Sequence, residues 1–242
     1  MDAIFHNAIE NLLKQKKHGR FELHTHTTLS DGDLLPMELI RRCEALGDSA
    51  VVISDHVSFS NYREVIAMAT RDCEVATREM GIVALPGVEL THVPPNRIAE
   101  LARLCKEEGA LVVLVHGETV IEPVPKGTNR AAFESPDVDI LAHPGMIDDE
   151  LATLAKKTET ILEITSRKGH NLTNGLVFKA GSSHGCSFVI NTDAHSPSDL
   201  MDLEFARTVG RGAGMGEDDL KKALVDTPLL LLKKAILSQH FH

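Results

Sequence analysis

A chain of 242 residues with 43% hydrophobic content can bury one sizeable core, and its length is ordinary for a single α/β barrel. A formal net charge of -10, one Tyr, no Trp and an aromatic share of 4% weigh against nucleic acid, which needs cationic surface and stacking platforms. No apolar run is long enough to span a bilayer, and Cys43, Cys73, Cys105 and Cys186 form no C-x-x-C pair, so free thiols and a soluble cytoplasmic protein are expected.

The first twenty residues carry their charges after the apolar positions and read as an amphipathic helix, not a signal peptide. The basic residues Lys14, Lys16, Lys17 and Arg20 read as the solvated end of that helix. Apolar or β-branched runs then recur at 21–23, 50–53, 82–85 and on toward 88, 110–115, 138–141, 160–164 and 187–190. Helical patterns lie between them near 35–46, 63–80, 95–108, 148–157, 172–183 and 199–207, with a helical tail from about 217 to 239. This alternation predicts a parallel sheet of strand and helix units, with residues 1–242 forming a single domain. The long polar connection at 117–136, with Pro123, Pro125 and Gly127, has the size of a functional loop.

The residues just past the strand ends carry the chemistry. His24 and His26 come after the first run and Asp55 and His56 after the second, while Glu89, His116, His143, the stretch 163–167 and finally Asp193 with His195 succeed the others. In a barrel of parallel strands these ends converge on one mouth. His6, His18, His92, His170, His184, His240 and His242 show no such placement. His24 and His26, two apart on a strand, point to one side and can grip one ion. Imidazole and carboxylate donors without thiolate suit Zn²⁺, Mn²⁺ or Fe²⁺, and Glu89 and Asp193 can bridge neighbouring ions. Asp55 fits either as an acceptor orienting the His56 ring or as a cap on the following segment.

The strings FELHTHTTLSDG, ISDHVSFS, LPGVELTH, VLVHGE, ILAHPG and INTDAHS resemble the successive motifs of the polymerase and histidinol phosphatase (PHP) superfamily, in that family's order, over about residues 21–196. The resemblance implies a distorted TIM-like (β/α)7 barrel with two or three divalent ions at the C-terminal ends of its strands. By matching position, His24, His26, Glu89 and Asp193 hold one ion; Glu89, His116 and His143 a second; Asp31, His56 and His195 a third. Some members carry His where Asp31 stands.

The expected activity is hydrolysis of a small phosphomonoester, with Glu89, Asp193 and Arg167 catalytic. Arg167, Lys168 and His170, in the loop after the sixth strand, are the candidates for binding substrate, because Arg clamps phosphate bidentately. Arg130, Lys126 and Asn171 are further candidates. The resemblance also admits a phosphodiesterase or nuclease acting on nucleotides or short nucleic acid, and a non-catalytic scaffold akin to a ribonuclease P protein subunit. Two other patterns carry no chemistry. GRGAGMG at 210–216 lacks the third glycine of a dinucleotide loop and reads as a flexible turn, and GSSHG at 181–185 follows a helix and precedes a strand, the reverse of a nucleophile elbow.

Overall fold

The computed structural model describes residues 3–238. The last residue of the expected tail, at 239, and His240 and His242 lie outside the described residues. The strands are β1 (Phe21–Glu22), β2 (Ala50–Ile53), β3 (His56–Val57), β4 (Val83–Leu90), β5 (Val112–His116), β6 (Ile140–Ala142), β7 (Ile161–Thr165) and β8 (Phe188–Asn191). All pair in parallel, in the order β1-β2-β4-β5-β6-β7-β8, and β3 also pairs with β4. Ile53 lies opposite Pro86 and His56 opposite Glu89, so β2 and β3 keep one register and form a single stave interrupted at Ser54 and Asp55. A bridge between Thr25 and Ala194, where His26 N donates to Ala194 O at 2.8 Å, joins the first stave to the last. The result is a nearly closed seven-stave barrel of the distorted TIM-like (β/α)7 kind.

The staves read as continuous apolar runs because both of their faces are buried. Alternation then sorts the side chains: Val113 and Val115 pack outward with Leu101 and Phe133, while Val112 and Leu114 join Ile140, Ala142 and Ile161 in the other cluster. The outer layer is built by α1 (Ala3–Leu13), α2 (Pro36–Ala45), α3 (Tyr62–Glu79), α4 (Ile98–Glu108), α5 (Thr128–Glu134), α6 (Asp149–Thr158), α7 (Asn174–Ser183), α8 (Leu203–Gly212), α9 (Glu217–Lys221) and α10 (Thr227–Ser238). Pro36 starts α2 at a position where no amide donor is needed, and the Asp148 side chain caps α6 by accepting from Leu151 N at 2.9 Å.

Four sequence expectations change. The connection at 117–136 contains α5, which its prolines and glycine hid. The helix expected at 199–207 begins only at Leu203, after a short turn at Pro197–Asp199, because Asp202 is its cap and accepts from Phe205 N at 2.8 Å. Residues 210–212 are not a flexible turn but the end of α8, where a Cβ on Gly210 would come within 2.4 Å of Leu220 Cδ2. Arg20 is not solvated: it is 1% exposed and donates to Glu22 Oε2 at 2.7 Å and to Asp48 Oδ1 and Oδ2 at 3.1 and 3.0 Å. Glu22 in turn accepts from His24 N and Thr192 N, which ties the first stave to the residue before Asp193. The four cysteines are free, as expected, and among the described residues no helix is long and apolar enough to cross a membrane.

Gly87 in β4 shows how tightly neighbouring staves approach. A Cβ there would lie 2.5 Å from Val52 Cγ1 and 2.8 Å from Val112 O. Gly87→Ala is therefore expected to destabilise the fold by about 1–3 kcal/mol, the usual range for overpacking. A chemical-denaturation midpoint equal to that of the unaltered protein would refute this.

Candidate metal centre

The barrel brings all nine expected ligand positions to the C-terminal ends of its staves. His24 and His26 follow β1, His56 opens β3, Glu89 lies near the end of β4, His116 ends β5, His143 follows β6, and Asp193 and His195 follow β8. Asp31 comes from the loop after β1. Among the described residues five ligand-spaced groups emerge, one of them His24, His143 and Glu163 and one His92, His116 and Glu122, and the other three hold the nine expected positions: His24, His26 and Asp193; Glu89, His116 and His143; and Asp31, His56 and His195 with His26. Within each, one ligand atom per residue lies within 4.8 Å of all the others.

The spacing within and between the groups fits that of ligands around bound ions. His26 Nε2 lies 3.2 Å from Asp193 Oδ1 and 3.6 Å from Glu89 Oε2, and His24 Nε2 lies 3.4 Å from Glu89 Oε1. His143 Nε2 is 3.5 Å from Glu89 Oε1 and 3.6 Å from Asp193 Oδ2. Asp31 Oδ1 stands 3.4 Å from His195 Nε2 and 3.6 Å from His56 Nε2. Ligands about 2.0–2.2 Å from a tetrahedral ion sit roughly 3.3–3.6 Å from each other, which matches these edges.

Glu89 supplies the sharper test of fit. It is fully buried, yet neither carboxylate oxygen accepts a hydrogen bond. His56 Nδ1 comes within 2.8 Å of Oε2, but without hydrogen-bond alignment. A buried anion without donors is costly unless a cation faces it. The surrounding backbone is also held in uncommon conformations, since His143 (φ 26°) and Asp193 (φ 52°) both lie in the left-handed region. Such strain concentrates at functional sites.

The rings are aimed by their other nitrogens. His24 Nδ1 donates to Glu163 Oε1 at 2.8 Å, His195 Nδ1 to the Asp193 carbonyl at 3.0 Å, and His116 Nδ1 to the Gly117 carbonyl at 3.2 Å, which leaves each Nε2 for the cluster. Asp55 neither orients His56 nor caps a helix. Its carboxylate accepts from Thr27 N (2.7 Å), Thr27 Oγ1 (2.8 Å) and Ser30 Oγ (2.6 Å), and so fastens the loop that presents Asp31. The His56 ring is set by Thr91, whose Oγ1 lies 2.6 Å from its Nδ1.

Charge in the cluster is finely opposed. Burial alone would depress the His24 pKa, but Glu163, Glu89 and Asp193 outweigh it and hold it well above the usual histidine range. Burial works against the Glu89 charge too, yet His24 and His116 hold its pKa well below that of an ordinary carboxyl. Burial raises the Asp193 pKa, and burial followed by His56 pushes His26 well down. These carboxylates require positive charge beside them, and a divalent ion held there would supply it in place of protons.

A cavity of about 280 Å³ opens onto the cluster. Arg167 lines it, and Asp199 Oδ2 accepts from Arg167 Nη1 at 3.2 Å. His170 lines it as well, almost fully buried, with its ring centroid 4.2 Å from that of His143. Lys168 is not on the wall; it is exposed, as are Lys126, Arg130 and Asn171. Arg130 pairs outward with Glu150 at 2.6 Å. Two site residues, His92 and Glu122, escape sequence reasoning, and a third, Glu163, is marked there only as part of the stretch 163–167. Glu163 receives His24 and the His143 amide; its signal is a lone acid within the apolar strand sequence ILEIT. His92 and Glu122 line the cavity, although His92 has no strand-end placement like that of the ligands and Glu122 lies in a loop without periodicity.

The model of the PHP domain family matches residues 22–179. Asp193 and His195 lie past that span and reach the centre through β8. A protein of Methanocaldococcus jannaschii, itself uncharacterized, is 49% identical over 220 residues, 89% of this chain and 99% of its own. A DNA polymerase/3'-5' exonuclease of Bacillus subtilis is 27% identical across 78% of this chain, which spans 36% of the polymerase. A probable phosphatase of a Thermoanaerobacter species is 28% identical over 57% of this chain and 63% of its own length. Among solved structures, a candidate histidinol phosphatase of Listeria monocytogenes superposes with a TM-score of 0.55 at 10% identity, covering 75% of this chain and 97% of that one. The ochratoxinase of A. niger does so with a TM-score of 0.56 at 13% identity, covering 88% and 71%. At such identities the two structures speak to the barrel alone. The family match runs over most of the barrel, and its fold gathers nine ligand-type side chains at one mouth: the chain belongs to the PHP domain family.

Proposed function

We propose that the protein hydrolyses a small phosphomonoester with two or three divalent ions, Zn²⁺, Mn²⁺ or Fe²⁺, held by the three ligand groups. The observation that carries this reading is Glu89, a fully buried carboxylate that accepts no aligned hydrogen bond and lies 3.4 and 3.5 Å from ring nitrogens of the first two groups. Divalent ions held there would polarise phosphoryl oxygens and acidify water at neutral pH. The chain's own residues do the rest. Arg167 receives phosphate oxygens at the cavity wall, with its guanidinium steadied by Asp199. Burial, and then the neighbouring His143, push the His170 pKa down to about 3, so at neutral pH its ring is uncharged and offers a hydrogen bond, not an acid. A cavity of about 280 Å³ favours a small substrate.

A second reading, a phosphodiesterase acting on a nucleotide, draws support from the polymerase/exonuclease relative. The test is release of p-nitrophenol from p-nitrophenyl phosphate and from its bis ester, by protein loaded separately with Mn²⁺ and Zn²⁺ and by chelated protein. Metal-dependent release from the monoester is expected. Release from the bis ester alone would move the assignment to a diesterase, and protein that retains no metal would be a scaffold. Arg167→Ala should lose roughly 1.5–3 kcal/mol of phosphate stabilisation, about 10- to 150-fold in kcat/KM. Lys168→Ala, a change at an exposed residue off the cavity wall, should stay near wild type; equal losses in the two variants would remove Arg167 from this role.

A further inference from the structure

His116 is the hinge of two ligand groups. With Glu89 and His143 it forms an inner group, and with His92 and Glu122 it forms an outer one. Glu122 Oε2 lies 3.1 Å from His116 Nε2 and 3.4 Å from His92 Nε2, the same ion-sized edges found within the inner groups. The His116 Nδ1 is committed to the Gly117 carbonyl, so Nε2 is the one nitrogen left for an ion. A single lone pair cannot serve both groups together.

The outer position is a built one. Glu118 and Asn129 clamp its loop: Glu118 Oε1 accepts from Gly127 N and Asn129 N at 3.0 Å each, and Asn129 Oδ1 accepts from Glu118 N at 2.9 Å. His92 is held at φ 53°, a strained conformation for a side-chain-bearing residue. The two groups also differ in access. Glu89 and His143 are buried, whereas the Glu122 and His92 side chains are 36% and 40% exposed on the cavity wall.

We propose that His92, His116 and Glu122 form an outer divalent-ion position that loads the inner centre, the ion passing inward on His116 as Glu89 and His143 replace Glu122 and His92. A hydrated ion thereby exchanges water for ligands in stages, and the outer position empties once the inner one fills. The inference rests on the reading of the inner cluster as a metal centre.

The test is stopped-flow uptake of Co²⁺ by chelated protein, together with the equilibrium count of bound Co²⁺ by elemental analysis. His92→Ala and Glu122→Gln should each slow uptake by about tenfold, the lower end of the usual cost of losing a residue that supports a metal site, and leave the equilibrium count unchanged. His116→Ala should lower the count by one ion. Uptake at the wild-type rate in both His92→Ala and Glu122→Gln would overturn the outer position, and so would loss of an equilibrium ion from either, since that residue would then be a permanent ligand. Wild-type protein that binds no Co²⁺ at all would instead remove the metal-centre reading on which the proposal rests.

Discussion

Glu89→Gln is expected to lower kcat/KM for the hydrolysed ester by about 10³-fold or more, roughly 4 kcal/mol in barrier height. The substitution keeps the side chain's shape and removes its charge. One oxygen stands 3.4 and 3.5 Å from His24 and His143 Nε2, the other 3.6 Å from His26 Nε2, so a single carboxylate faces members of two ligand groups. An amide offers one weaker acceptor, and its NH₂ points a donor where a cation belongs. The effect should appear in metal content before it appears in turnover. Wild type at about 100 times its metal Kd gains roughly 2.7 kcal/mol of stability by linkage, and the variant should show little of the corresponding rise in Tm. Full metal occupancy with normal turnover in Glu89→Gln would remove Glu89 from the centre.

Why Glu89 can be found without a structure, and Glu122 cannot, is a matter of periodicity. A parallel stave is a short apolar run with a definite end, so the first ligand-type residue past each run is legible, and the barrel geometry carries all such ends to one mouth. This locates His24, His26, His56, Glu89, His116, His143, Asp193 and His195, whose positions depend only on strand boundaries. Asp31 depends on the family motif, because its loop has no period of its own. Local pattern fails where a partner far along the chain decides the outcome. Arg20 comes after a lysine-rich stretch and looks solvated, but Asp48, from the turn after α2, draws it inside. Asp55 looks like a partner for His56, yet Thr27 and Ser30 take both of its oxygens. Lys168 and Arg167 are adjacent in sequence, and only the tether from Asp199, thirty-two residues on, turns one of them to the cavity.

Glu163 is the second residue on which the site depends; it lies within ligand spacing of His24 and His143, but hydrogen bonds occupy both of its oxygens. It sits in the middle of β7, fully buried, where alternation sends Leu162 and Ile164 outward to the helices and the carboxylate to the interior. Its oxygens accept from His24 Nδ1 at 2.8 Å, Asn191 Nδ2 at 2.8 Å and His143 N at 2.9 Å. The last of these bonds holds the backbone of a residue at positive φ, and the first fixes which His24 nitrogen faces the ions. Burial opposes the Glu163 charge, but His24, with His143 and the Asn191 amide, more than offsets it and lowers its pKa. Glu163→Ala strips three buried donors of their acceptor and is expected to cost about 3–5 kcal/mol in folding stability, as breaking a buried charged network does. Glu163→Gln keeps the volume and one acceptor, so it should fold with a smaller loss while metal affinity falls roughly 10- to 100-fold. Denaturant titration of both chelated variants, followed by Zn²⁺ binding to the Gln variant, separates the two roles. Wild-type affinity in Glu163→Gln would mean that His24 is aimed by packing alone, and a chelated Glu163→Ala as stable as wild type would mean that the network contributes nothing to the fold.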